Sequence, residues 1–139
     1  MTDLWPDAEV GEIISDGTVL SFEAEATITK GKCVYLTADI KVTQAAAAQD
    51  CIGVALKSVE TGEFCPVCVQ GIVKITASGA ITRGQAVYGS DVDGDPLALA
   101  DQAVDEGGTA KYTVYYSRRI GFALQTFADN DTGLIMVQK

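Results

Sequence analysis

Histidine is absent from all 139 residues of the chain. That absence removes Ser-His-Asp and Cys-His nucleophile systems and the commonest transition-metal ligand. Cations are scarce as well: ten Lys and Arg stand against 19 Asp and Glu, a formal net charge of −9. So acidic a chain repels a phosphate backbone unless it concentrates its cations, and only Tyr115 to Arg119 (YYSRR) does so. A strand with an exposed basic end accounts for that stretch, and no nucleic-acid partner is expected. No apolar run approaches the ~18 residues that cross a bilayer, so no membrane partner is expected either. The opening residues, MTDLWPDAEVGEIISDG, are acidic and interrupted by proline, unlike a secretory signal. A soluble protein made in the cytoplasm is the expectation. Phosphate loops are missing too: Ala26 stands where G-x-x-x-x-G-K-[ST] needs its first glycine, Cys33 follows Gly31-Lys32, and no G-x-G-x-x-G occurs.

What is present is a phrase used twice. ITKGKCVY begins at Ile28 and ITRGQAVY at Ile81, 53 residues apart. Downstream, Ile52-Gly53-Val54-Ala55-Leu56 matches Ile120-Gly121-Phe122-Ala123-Leu124, now 68 residues apart, so the second copy is 15 residues longer. Between these landmarks the pattern is β almost throughout. Val10 to Ile28 holds short β-branched runs broken at Asp16-Gly17, and CVYLTADIKVTQ reads as two strands joined near Ala38-Asp39. CIGVALKSV and FCPVCVQGIVKIT read as two more, separated by Glu60-Thr61-Gly62-Glu63. Ala45 to Gln49 has helix-forming composition but is too short for a stable helix. The expected fold is therefore all-β: an internally duplicated antiparallel sandwich or barrel. It would comprise an extended arm (1–17) and one β domain (18–139) built from repeats at about 19–76 and 77–139, packed face to face about a pseudo-twofold axis.

Each repeated residue has a structural role in this reading. Gly31 and Gly84 occupy a tight corner between strands, where a Cβ is penalised. Gly53 and Gly121, inside apolar strands, mark a bulge or a close backbone approach, and Gly71 lies in a third apolar run. The recurring phrase carries no nucleophile, acid or metal ligand, and its cysteine gives way to alanine.

Other motifs were weighed against plainer readings. Cys65-Pro66-Val67-Cys68 has the C-x-x-C spacing of a redox pair or half a zinc site. Three apart on a strand, however, the thiols face opposite ways, and neither Cys33 nor Cys51 completes a ligand set, so free buried thiols are expected. Asp91, Asp93 and Asp95 alternate as in a calcium loop, but Pro96 and Gln102 stand where an EF-hand wants glycine and glutamate, which leaves a turn. Glu23/Glu25 and Asp129/Asp131 could support acid–base hydrolysis, although in an acidic chain such pairs are ordinarily a solvated face. No cofactor, metal or catalytic residue is assigned. Tyr112, Tyr115 and Tyr116 concentrate three of the five tyrosines inside the lengthened part of copy two, and aromatics on both faces of a strand suit a subunit interface or the chain's own core. Leu4-Trp5-Pro6 places the only tryptophan where a terminal arm would anchor on a partner.

The order of I-T-x-G-x-x-V-Y, an Ala-rich polar stretch (TQAAAAQD), IGVAL, a turn, V-x-V-x-G-I-V, then ITRGQAVYG and IGFAL resembles the head-decoration, or capsid-cement, proteins of tailed bacterial or archaeal viruses. The resemblance spans about Val19 to Val137. It implies a non-enzymatic β-clip- or tulip-like protein, often trimeric, on the outside of the mature head, with the major capsid protein of the same virus as partner. Gly31, Gly53, Gly71, Gly84 and Gly121 match as fold positions, while the insertion around Ala103 to Arg118 departs from the shorter pattern. The expectation is a homotrimeric virion protein. Two other classes stand beside it: a receptor- or glycan-binding module of a virion appendage, and a small carboxylate-dependent hydrolase.

Overall fold

Short runs of β-branched and aromatic residues, each ended by a turn with glycine or aspartate, fold into nine strands in the computed structural model, which describes residues 8–14, 17–89, 92–99 and 118–139. They are β1 (Thr18–Ala24), β2 (Cys33–Ala38), β3 (Lys41–Gln44), β4 (Cys51–Ala55), β5 (Phe64–Thr76), β6 (Ala86–Tyr88), β7 (Leu97–Ala98), β8 (Arg119–Ala123) and β9 (Thr132–Gln138). No α-helix occurs among the described residues, and Ala45 to Gln49 forms bends. The strand order is β1-β3-β2-β4-β5-β9-β8-β6-β7, and β1 pairs with β5 as well. β1, β3, β2, β4 and β5 thus close a five-stranded barrel, from which the other four strands extend. Each of these pairings is antiparallel except β1–β3, whose parallel seam, Glu23 with Lys41 and Ala24 with Val42, closes the barrel.

The 13-residue β5 serves both halves. Its first part pairs with β1, and from Gln70 onward it pairs with β9. The halves are therefore joined through a common strand rather than simply stacked face to face. One strand can do this because its second part stands where β1 stands in the first half. Leu20 pairs with Val67 and Ser21 with Pro66; Val73 pairs with Ile135 and Lys74 with Leu134, shifted by the same 53 and 68 residues.

Turn hydrogen bonds recur at those offsets. Gly31 N–H donates to the Ala55 carbonyl and Gly84 N–H to that of Ala123, both at 2.8 Å. Lys30 N–H donates to Ser58 Oγ at 2.9 Å, and Arg83 N–H to Thr126 Oγ1 at 3.2 Å. Glu60 N–H reaches the Glu63 carboxylate and Ala128 N–H the Asp131 carboxylate. Ladder irregularities recur too, between Val34 and Tyr35 opposite Gly53 and between Val87 and Tyr88 opposite Gly121.

Two apolar clusters hold the fold. Ala24, Ile28, Val34, Val42, Ala55, Val59, Cys65 and Val67 make one, and all are buried. Ala77, Ile81, Val87, Ala123, Phe127 and Ile135 stand at equivalent places in the second half, inside a larger cluster that also takes in Cys33, Cys51, Val54 and Cys68. The core of the second half thus runs on into the joint with the first. Burying such apolar side chains contributes ~1.5–3 kcal/mol each, the dominant favourable term.

The first described residues belong to this body. Gly11 N–H donates to the Lys74 carbonyl at 2.7 Å, Lys74 N–H to that of Glu12 at 3.1 Å, and Ile14 N–H to that of Ile72 at 2.8 Å, while Ile13 bridges Val73. Of the expected 1–17 arm, residues 11–14 are thereby an edge partner of β5.

Candidate interaction surface

The two copies of the repeated phrase build corners of the same shape with different surroundings. Gly31 and Gly84 have φ of 89° and 85°, a conformation that costs any residue with a Cβ. Gly31 is covered: a Cβ there would lie 2.5 Å from Val10 Cγ1 and 3.2 Å from Gly11 N, whereas one on Gly84 would meet nothing within 4 Å. The neighbouring residues differ accordingly. Lys30 Nζ pairs with Glu9 Oε2 at 2.8 Å, and its charge and hydrogen bond hold the Glu9 carboxyl below the usual range. Lys32 Nζ pairs with Asp95 Oδ1 at 2.8 Å, and Cys33 N–H donates to the Gly94 carbonyl at 2.8 Å. The corner in ITKGKCVY is therefore a joint that receives both the 8–14 segment and the turn before β7. Gly84 and its neighbours in ITRGQAVY face outward.

The joint gives Asp95 a part in holding the two halves together. Asp93 offers its carbonyl to Gln44 Nε2 at 3.2 Å, and Asp91 lies outside the described residues. Among the described residues no group of three or more Cys, Asp or Glu could hold a metal. The C-x-x-C thiols separate across β5: Cys65 enters the first cluster and Cys68 the larger one, and burial pushes both thiols up. A raised thiol is less thiolate and less nucleophilic. Cys33 and Cys51 are buried as well and form no disulfide.

The paired carboxylates are occupied with structure. Asp129 Oδ1 accepts from Gly79 N–H at 2.8 Å, Asp131 Oδ2 from Ala128 N–H at 2.8 Å, and Glu23 lies 4.0 Å from Lys41 Nζ. A shallow cavity of about 450 Å³ is lined by Tyr35, Leu36, Gln49, Asp50 and Arg118. It brings in the Asp50 carboxylate, 3.9 Å from Arg118 Nε.

Glycines 53 and 121 each sit where a neighbouring backbone passes. A Cβ on Gly53 would lie 3.0 Å from the Cys68 carbonyl carbon and one on Gly121 2.8 Å from that of Met136, with the carbonyl oxygens nearer still. Gly71 lies at the junction of the two parts of β5, beside Ile13. Leu4, Trp5 and Pro6, and Tyr112, Tyr115 and Tyr116, lie outside the described residues.

Sequence reasoning passed over a set of exposed apolar side chains near the barrel seam: Val19, Leu20, Leu36, Ile40 and Phe64. The signal that could have found them is Thr18-Val19-Leu20-Ser21, which lacks the apolar–polar alternation of a half-buried strand and is exposed at all four positions.

These features define an all-β protein built on a five-stranded barrel with four further strands. The sequence pattern of the phage cement protein family matches residues 14–138, and the chain belongs to that family. Its role is accordingly the cementing of a phage capsid, in association with the virion. Among solved structures, the chain resembles the head fiber gp8.5 N base of bacteriophage phi29, with a TM-score of 0.58 and 16% identity over 86% of this chain and 92% of that one. At that identity the likeness speaks for the fold. No curated protein sequence matches the chain.

Proposed function

We propose that the chain is a homotrimeric cement that binds the outer surface of the mature head through the major capsid protein, without catalysis. The observation that carries this reading is the family match over residues 14–138. The mechanism is mass action. A ligand that binds only the assembled shell stabilises it by RT ln(1 + [L]/Kd), about 2.7 kcal/mol per site at a hundredfold excess over Kd. Leu4, Trp5 and Pro6 dock on the shell, and Tyr112, Tyr115 and Tyr116 hold neighbouring subunits together.

Light scattering of the purified protein, followed by mixing with emptied, expanded heads, tests the whole. A monomer that ignores those heads overturns it. The arm is tested by deleting residues 1–7 alone, because residues 11–14 bond to β5 and a longer deletion would damage the fold. The shortened chain is expected to remain folded and oligomeric while its head affinity falls; unchanged saturation of the shells refutes the role of the arm.

A further inference from the structure

Among the described residues, the barrel seam leaves one strand edge without a partner. β1 pairs with β5 from Thr18 to Glu23, but its pairing with β3 begins only at Glu23. Among the described residues, no strand lies on the other side of Thr18–Phe22. Val19 is 42% and Leu20 47% exposed, and Thr18 to Phe22 contains no lysine, proline or charge of the kind that protects an edge. More apolar surface lies at the Glu23 end of this edge. Phe64, 67% exposed, is the partner of Glu23 on β5. Ile40, at the β2–β3 turn, is 71% exposed and has φ of 59°, an unfavourable conformation for a β-branched residue. An exposed apolar side chain on a strained backbone is poorly explained by the stability of the free protein.

The second half shows what such a place accepts. Leu20 corresponds to Val73, and Val73 is fully buried with residues 11–14 paired along its edge. The same position in the repeat thus takes an extended segment bearing an isoleucine, and among the described residues the first half has no such segment. Charge narrows the occupant. Glu23 and Glu25 continue the chain past this edge, and the acidic Glu60–Glu63 turn bonds to Ala24 there, against Lys41 opposite Glu23, so two copies of this chain of net charge −9 would meet there with like charge.

We propose that the outer edge of β1, with Leu20 on it and Ile40 at its end, takes an extended apolar segment of the capsid protein flanked by basic residues, which adds as a strand. Main-chain hydrogen bonds supply affinity in such an addition, and the apolar neighbours and acidic rim supply selectivity. The proposal rests on the cement reading and names the surface that serves it.

The test uses the full-length chain, its variants Leu20→Thr and Ile40→Gly, and the control Arg83→Ala at the outward corner of the second half. Each is titrated onto emptied, expanded heads of the parent virus, with hydrogen exchange of the bound wild type alongside. Leu20→Thr keeps a good strand former, and Ile40→Gly relaxes the positive φ, so neither is expected to unfold the chain. Each weakens head binding by about tenfold or more, Arg83→Ala does not, and the Thr18–Phe22 amides become protected on the heads. Unchanged affinity of both variants, or amides that exchange as fast on the heads as off them, overturns the proposal. So does a change in oligomer size without a change in head affinity, which makes a second copy the occupant. Wild type that ignores heads sinks the cement reading itself; wild type that binds with both variants unaffected sinks only this surface.

Discussion

Replacing Gly121 with alanine is expected to damage the protein far more than the same change at Gly84, although both glycines belong to the repeated landmarks. At Gly121 the added methyl would lie 2.8 Å from the Met136 carbonyl carbon and 3.0 Å from Val137 Cα, inside ordinary contact, and closer still to the Met136 oxygen. These are backbone atoms of β9, so no side chain can swing aside. Relief requires β8 to move off β9 where Gly121, Phe122 and Ala123 face Val137, Met136 and Ile135. Two or three ladder bonds at about 1 kcal/mol net each, with ~1–3 kcal/mol of overpacking, give a loss of roughly 3–6 kcal/mol. Small proteins have only about 5–15 kcal/mol in all. At Gly84 the methyl meets open space, and the positive φ alone costs about 1 kcal/mol. Urea unfolding measures the contrast: with a slope of ~2 kcal/mol per M, Gly121→Ala lowers the midpoint by about 2 M and Gly84→Ala by about 0.5 M. Gly53→Ala, facing Cys68 in the same way, should behave like Gly121→Ala. Equal midpoints for the Gly84 and Gly121 variants would refute the close-approach argument.

Breaking the joint between the halves is expected to cost less. Lys32→Met leaves Asp95, whose side chain is 12% exposed, without its cation, a loss of about 1–2 kcal/mol by thermal unfolding, with Lys32→Met/Asp95→Leu recovering part of it. Acid should loosen the 8–14 segment before the barrel. The folded Glu9 carboxyl titrates below its ordinary 4.5, so the stabilisation from its pair with Lys30 is fully present above 4.5 and is lost as pH falls through the lowered value. Lower protection of the Gly11 and Ile14 amides below pH 4.5, relative to their slower intrinsic exchange in acid and absent in Glu9→Gln, is the expected sign; identical profiles in the two proteins would speak against it.

The all-β character was legible because it is local. Short β-branched runs ending at Asp39-Ile40, Glu60 to Gly62 and Ala128 to Asn130 announce strands and turns without reference to the rest of the chain. The paired corners at Gly31 and Gly84 are local too, since a hydrogen-bonded corner needs the same residue types wherever it is used. What escaped depends on pairs distant in sequence. Nothing around Glu23 or Lys41 announces a parallel seam, and Asp95 reads as one more turn acid until Lys32, 63 residues away, is seen beside it. GEIISDG reads as an arm by its acids and glycines, yet Gly11 sits over Gly31 so closely that a Cβ on Gly11 would lie 2.5 Å from Gly31 N. Exposure of Val19 and Leu20 was equally hidden, because composition marks a strand and not whether its outer edge has a neighbour.

The two halves differ in what covers their equivalent residues. Two units with the same turns and ladder irregularities should bury equivalent residues equally, unless something outside the unit intervenes. Where the corners differ, the cause lies within the chain: Gly31 is covered because residues 8–14 and the Asp95 turn land there, and Gly84 is bare because nothing equivalent reaches it. Where the first strands differ, the chain supplies a cover for Val73 and none among its described residues for Leu20. A bare corner of arginine, threonine and glycine is stable in water. A bare edge of valine and leucine beside a strained isoleucine is not well suited to it, since each buried apolar side chain would gain ~1.5–3 kcal/mol. Of these two places, and among the described residues, the β1 edge is the one that gains by burial, which is the reason for proposing it as the surface that meets the shell.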